Sequence, residues 1–189
     1  MSIKRNKKDI GDQELLWKKF LENDMTAFHE IYRENYQILF SYAMRFYYDK
    51  SSAEDCLQTM FLNILNSREK LPKVKNVKAY LMKSLRNQIL NSKRTKIDDF
   101  PLIADSEFDF KKKGLDENVY RQLKDLINKL SPRERELVYL KYFHGFRSTE
   151  ISTLLNIEYQ TVRNILANAI AKMRKLGDDV LQLLFILFQ

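Results

Sequence analysis

The sequence predicts an all-α protein of two small helical domains joined by an irregular acidic linker. Three observations predict it. Apolar residues recur at intervals of three and four along most of the chain, the period of a helix with one buried face. Four Gly and three Pro in 189 residues leave little to punctuate a sheet-rich fold. The helical pattern stops once, from about Thr95 to Glu117, and then resumes. A composition 44% hydrophobic and 31% charged is globular rather than disordered.

Taken in order, Leu15, Leu16 and Phe20 predict a short first helix after Asp12. Phe28, Ile31, Tyr32, Leu39, Phe40, Ala43 and Tyr47 mark a long second one. Ser52, three residues before Asp55, reads as an acidic variant of a capping box. It opens a third helix whose apolar face is Cys56, Leu57, Met60, Phe61 and Ile64. Pro72 lies in a polar, basic loop from Asn66 to Asn76. The fourth helix carries Ala79, Tyr80, Leu81, Leu85 and Ile89 on one side, and Lys78, Lys83, Arg86, Asn87 and Arg94 on the other. The first domain is therefore placed at 1–96 and the linker at 97–117, where Pro101 and Gly114 break the pattern amid Asp98, Asp99, Asp105, Glu107 and Asp109.

The second domain, 118–177, opens with Val119, Leu123, Leu126, Ile127 and Leu130 at helical spacing. Ser131-Pro132-Arg133-Glu134 is a full start signal, with Ser at the N-cap, Pro at the first helical position and Glu closing the box. That helix is expected to stop at His144-Gly145. Two more helices, Ser148 to about Leu155 and Tyr159 to about Leu176, are separated by only a short turn at Asn156-Ile157. They read as a helix-turn-helix: Asn156 tolerates the left-handed corner, Ile157 plugs the angle, and Val162, Leu166, Ala169, Ile170 and Met173 face inward. Tyr159, Gln160, Arg163, Asn164 and Asn168 are left facing out, and amide and guanidinium groups pair with base edges in the major groove. Thr161 belongs to the same candidate surface, and Arg147, Lys172 and Arg174 are candidate phosphate contacts. Glu158 at the head of that helix is unexpected, because its carboxylate repels phosphate.

Net charge is +8, and its location matters more than its size. Basic and acidic residues nearly balance in 1–65, at 9 against 10, whereas 66–96 holds 10 against 1. A one-signed block inside a helical domain reads as a polyanion-binding surface. Its charges alternate with Asn76, Tyr80, Asn87 and Asn91, the mixture of cations, amides and an aromatic ring that holds single-stranded DNA.

Other classes lose support. Cys56 is the single cysteine, which excludes a disulfide framework and an all-cysteine zinc site and fits a reducing compartment. His29 and His144 have no ligand-spaced partners, so neither a metal nor a cofactor is expected. A nucleic-acid enzyme such as a recombinase would need a nucleophile or carboxylate cluster beside the basic block, and Glu69 stands alone there. The basic segment Met1–Ile10 is followed by no apolar stretch, so it is not a secretion signal. No window reaches the ~20 apolar residues of a membrane span. The expectation is a cytoplasmic, non-enzymatic protein without membrane insertion.

Three segments resemble the sigma factors of bacterial RNA polymerase. SSAEDCLQTMFLNIL, 51–65, is similar to the signature of region 2.2. NVKAYLMKSLRNQILNSKR, 76–94, resembles the helix of regions 2.3 and 2.4. INKLSPRERELVYLKYFHGFRSTEISTLLNIEYQTVRNILANAIAKMRKL, 127–176, is similar to region 4. With nothing resembling regions 1.1 or 3, the resemblance points to the extracytoplasmic-function group. It departs from the family at Asn156, where Gly is usual, and at Glu158, where Ser is usual.

The resemblance implies a sigma factor that binds core polymerase and directs promoter-specific initiation. Asp55 and Gln58 would dock on the clamp helices of the largest subunit, and region 4 on the flap. Asn76, Lys78, Tyr80, Lys83, Arg86, Asn87 and Arg94 would hold the unpaired −10 strand. Arg147, Tyr159, Gln160, Thr161, Arg163, Asn164, Lys172 and Arg174 would serve the −35 duplex. The acidic linker would thread the polymerase channel as a removable mimic of nucleic acid. The alternative is a conventional dimeric helix-turn-helix regulator, which leaves the basic block unused. The apolar tail, 178–189, is expected either to fold back on the chain or to dock a partner such as an anti-sigma factor.

Overall fold

Asp24, Asp49, Asn76 and Ser131 each start a helix by offering a side-chain oxygen to backbone N–H groups that have no partner within the helix. The computed structural model describes residues 7–93, 100–102 and 117–176, and all regular structure among them is helical. They fall into two compact units, one within 4–96 and one within 97–189. The tail 178–189, Arg94 and most of the linker lie outside the described residues.

The first unit holds α1 (Lys7–Leu21), α2 (Met25–Ala43), α3 (Lys50–Asn66) and α4 (Val77–Lys93), with a 3-10 turn at Arg68–Lys70 before α4. Its first helix begins before Asp12 rather than after it. Asn23 turns the chain between α1 and α2 at φ 77°, a left-handed conformation that Asn adopts more readily than most residues. The start of α3 also differs from the expectation. Asp49, not Ser52, is the cap, and its carboxylate accepts the Ser52 N–H at 2.7 Å and the Ser52 hydroxyl at 2.8 Å. A carboxylate both accepts strongly and complements the positive end of the helix dipole.

α1 packs on α2 and α4, α2 on α3 and α4, and α3 on α4. Trp17, Phe20, Ile31, Leu39, Tyr42, Leu57, Leu81 and Leu85 are sealed in the resulting core. Trp17 meets Phe20 edge-on at 5.5 Å, Phe20 stacks on Phe28 at 4.8 Å, and Phe61 of α3 lies 4.8 Å from Tyr32. Such ring pairs add to the area they bury and hold the helices in a definite register.

The second unit holds α5 (Glu117–Asn128), α6 (Pro132–Val138), α7 (Ser148–Leu155) and α8 (Tyr159–Leu176). The Ser131 capping box forms: Ser131 Oγ accepts the Glu134 N–H at 3.3 Å, and the Glu134 carboxylate accepts the Ser131 N–H at 2.9 Å. α6 does not continue as α-helix to His144. It widens into a π-turn over Tyr139–Phe143, closed by His144 N–H on Tyr139 O at 3.3 Å, and Gly145 then leaves at φ 62°. Arg135 is buried, and its guanidinium donates to the carbonyls of Phe100, Leu130, Asn128 and Ile127. Phe100, which the sequence placed in an irregular linker, is itself buried against Tyr139, with ring centres 5.5 Å apart.

Candidate nucleic-acid interfaces

In the second unit α7 and α8 form the helix-turn-helix. Asn156 sits in the left-handed region at φ 53° and ψ 51°. Ile157 is clamped to α7 by its N–H on Ser152 O at 3.1 Å and by the Ser152 hydroxyl on its carbonyl at 2.7 Å. Ile151, Leu154 and Leu155 of α7 are buried together with Val162, Leu166, Ala169 and Met173 of α8. Tyr159, Gln160, Thr161, Arg163, Asn164 and Asn168 are all exposed on the opposite face of α8.

Two contacts organise that face. The Arg163 guanidinium lies over the Tyr159 ring, 5.9 Å from its centre, and Gln160 Nε2 donates to Asn164 Oδ1 at 3.0 Å. Each pair spans one helical turn, so both hold side chains upright that would otherwise sample many rotamers. Glu158 is exposed beside them, and its carbonyl accepts the Val162 N–H at 3.1 Å. Arg147 and Arg174 are exposed.

Lys172, expected as a phosphate contact, is exposed and has a carboxylate partner within its own unit. Its ammonium lies 2.7 and 2.9 Å from the two Glu134 carboxylate oxygens. Burial pushes the Glu134 carboxyl up, but Lys172 and the two Ser131 donors outweigh it and hold its pKa below the ordinary 4.5. Lys172 thus joins α8 to the start of α6, with its side chain still 56% exposed.

In the first unit, the basic residues lie on the 3-10 turn, the loop after it and α4. Lys70, Lys73, Lys75 and Asn87 are exposed, while Lys78 and Lys83 are half-buried. Asn76 is partly used as the α4 cap, where its Oδ1 accepts the Ala79 N–H at 3.0 Å. Tyr80 is half-buried and packs edge-on against Trp17 at 5.1 Å, so one side of its ring belongs to the core.

Arg86 corrects the sequence reading. It is 6% exposed and does not share an open face with Lys83 and Asn87. The helical period explains it: Arg86 is one turn from both Met82 and Ile89, which are fully buried, and this places it on the edge of the apolar stripe.

On α3, Asp55 and Gln58 are exposed opposite the buried Ala53, Cys56, Leu57, Met60, Phe61 and Ile64. Leu62 joins them, 56% exposed one turn beyond Gln58. It could have been found in the sequence, because it falls outside the apolar stripe of its own helix. Among the described residues no group of His, Cys, Asp and Glu is placed to hold a metal ion, and no helix is long and apolar enough to cross a membrane.

An all-helical chain with a helix-turn-helix in one unit and a cationic loop and helix in the other has the architecture of a DNA-binding protein. Two family descriptions match it: Sigma-70 region 2 over residues 31–96, and Sigma-70, region 4 over residues 120–173. Together they span well over half of the chain, which belongs to the sigma-70 family and is a sigma factor directing transcription initiation at promoter DNA. Regions 2 and 4 are the pair kept by the extracytoplasmic-function group.

No curated protein sequence matches the chain at a significant level. Among solved structures, CnrH in complex with the cytosolic domain of CnrY is similar over 89% of this chain and 98% of its own, with 16% identity and a TM-score of 0.64. The sigma factor RpoE in complex with the anti-sigma factor NepR, from Bartonella quintana, is similar over 79% of this chain and 95% of its own, with 17% identity and a TM-score of 0.55.

Proposed function

We propose that the two units divide the promoter between them, within a non-enzymatic, cytoplasmic polymerase subunit. The unit within 4–96 docks on the clamp helices through Asp55 and Gln58, and takes the unpaired −10 strand on the loop 67–76 and the open side of α4. The unit within 97–189 reads the −35 duplex with Gln160, Arg163 and Asn164 of α8, assisted by Tyr159 and Thr161, while Arg147 and Arg174 grip phosphates. An anti-sigma factor is a further partner, in line with the RpoE complex with NepR. The observation that carries this division is the difference between the surfaces. One is a helix presenting amides and a guanidinium at the spacing of a major-groove reader. The other is a cationic loop feeding a helix, suited to a flexible strand.

The test is binding of holoenzyme to two templates. Lys83→Ala with Asn87→Ala is expected to weaken binding to a forked −10 template and to spare a closed −35 duplex. Arg163→Ala is expected to cost about 1–3 kcal/mol at one −35 base pair while leaving the forked template untouched. Equal losses on both templates from either change would refute the division.

A further inference from the structure

Trp17 is the only tryptophan in the chain and is 1% exposed in α1, within the first unit. Its indole N–H does not end in the apolar core. It donates to the carbonyl of Pro72 at 3.0 Å, across 55 positions of sequence. The same ring meets Tyr80, at the first turn of α4, edge-on at 5.1 Å. Nearby, Arg68 Nη1 donates to the side-chain oxygen of Asn23, in the turn that ends α1.

These contacts matter because of where regular bonding stops. The backbone bonds of the 3-10 turn end at Leu71, and those of α4 begin at Asn76. The stretch between them carries Lys73 and Lys75, both exposed. Pro72 has no N–H and offers the chain only its carbonyl, and that carbonyl is what the indole holds. A loop that must receive a flexible strand binds more weakly if its own backbone has to be ordered at the same time. Fixing it beforehand removes that cost.

We infer that Trp17 is a positioning residue for strand capture, its N–H holding Pro72 so that Lys73 and Lys75 stand ready on a fixed loop. The inference rests on the reading that the loop 67–76 receives the −10 strand. Trp17 touches no DNA in this arrangement. It acts only through the Pro72 carbonyl and the Tyr80 ring.

The test uses full-length protein in holoenzyme, with Trp17→Phe. Affinity for a forked −10 template is expected to fall about fivefold, the equivalent of one hydrogen bond. Affinities for core polymerase and for a closed −35 duplex should stay as in the parent, and tryptic cleavage of the free protein after Lys73 and Lys75 should quicken. If Trp17→Phe does not fold, β-(3-benzothienyl)alanine at position 17 replaces the N–H by sulfur and keeps the fused ring. Parent affinity for the fork with either variant overturns the inference, as does a parallel fall in all three affinities, which would mark Trp17 as structural only. Lys73→Ala with Lys75→Ala separates the two ideas. If it leaves fork binding unchanged, the loop does not receive the strand. If it weakens fork binding while loss of the indole N–H does not, the strand reading stands and the role of Trp17 falls.

Discussion

Replacing Arg135 with Met is expected to cost the second unit about 2–4 kcal/mol. The residue is 5% exposed, and its guanidinium donates to Phe100 O at 2.8 Å, Leu130 O at 2.9 Å, Asn128 O at 3.3 Å and Ile127 O at 3.4 Å. Three of these carbonyls lie at the end of α5 and in the turn beyond it, where a helix leaves acceptors without internal donors. Counting only the two short bonds, at ~1.5–3 kcal/mol each for a charged donor, gives a gross ~3–6 kcal/mol. Burial works against the charge and lowers the Arg135 pKa from its ordinary value, so Met recovers part of the desolvation cost. The net loss is large against the ~5–15 kcal/mol of a whole domain. At ~4–8 °C per kcal/mol for a unit of this size, the transition should fall by ~8–32 °C. Far-UV circular dichroism of the full chain follows the loss, and −35 duplex binding should disappear over the same temperature range while persisting in the cold. A shift under ~2 °C would refute the reasoning, since it would mean that water serves these carbonyls as well as the guanidinium does.

Glu134→Gln tests the ion pair between Lys172 and Glu134. Because the Glu134 pKa is lowered, its ionised form contributes stability that is present above the ordinary 4.5 and is lost as pH falls through the folded value. The melting gap between parent and variant should therefore be widest near neutral pH and close in acid, and a gap constant with pH would assign it elsewhere. At the corner of the helix-turn-helix, Asn156→Gly should be close to neutral, while Asn156→Ala should cost ~1 kcal/mol because Ala keeps the Cβ that the left-handed backbone disfavours and lacks the short polar side chain by which Asn tolerates it. Equal melting of the two variants would contradict that account. On α4, Arg86→Ala should destabilise the first unit by ~2–3 kcal/mol and Lys83→Ala by less than ~0.5, so comparable denaturant midpoints would show that Arg86 is not a buried member of the core.

What the sequence determined by itself was whatever depends on neighbours three or four residues apart. The Ser131–Glu134 box, the left-handed corner at Asn156, the buried Val162, Leu166, Ala169 and Met173, and the outward set from Tyr159 to Asn164 all follow from helical period and local capping. Family membership was legible for the same reason, since its motifs are runs of consecutive residues. The cap of α3 is also local, since the Asp49 carboxylate stands three residues before Ser52, the residue expected to cap the helix, and accepts its N–H. Only tertiary structure decided the rest. Trp17 finds Pro72 across 55 positions, Lys172 finds Glu134 across 38, and Arg135 finds Phe100 across 35. Arg86 has the spacing of the edge of the apolar stripe, and only packing decided that this edge of α4 is buried. Helical period fixes the direction in which a side chain leaves its own helix. It carries no information about which other element waits there, and that is what decides whether a cation meets water, a carboxylate or a row of carbonyls.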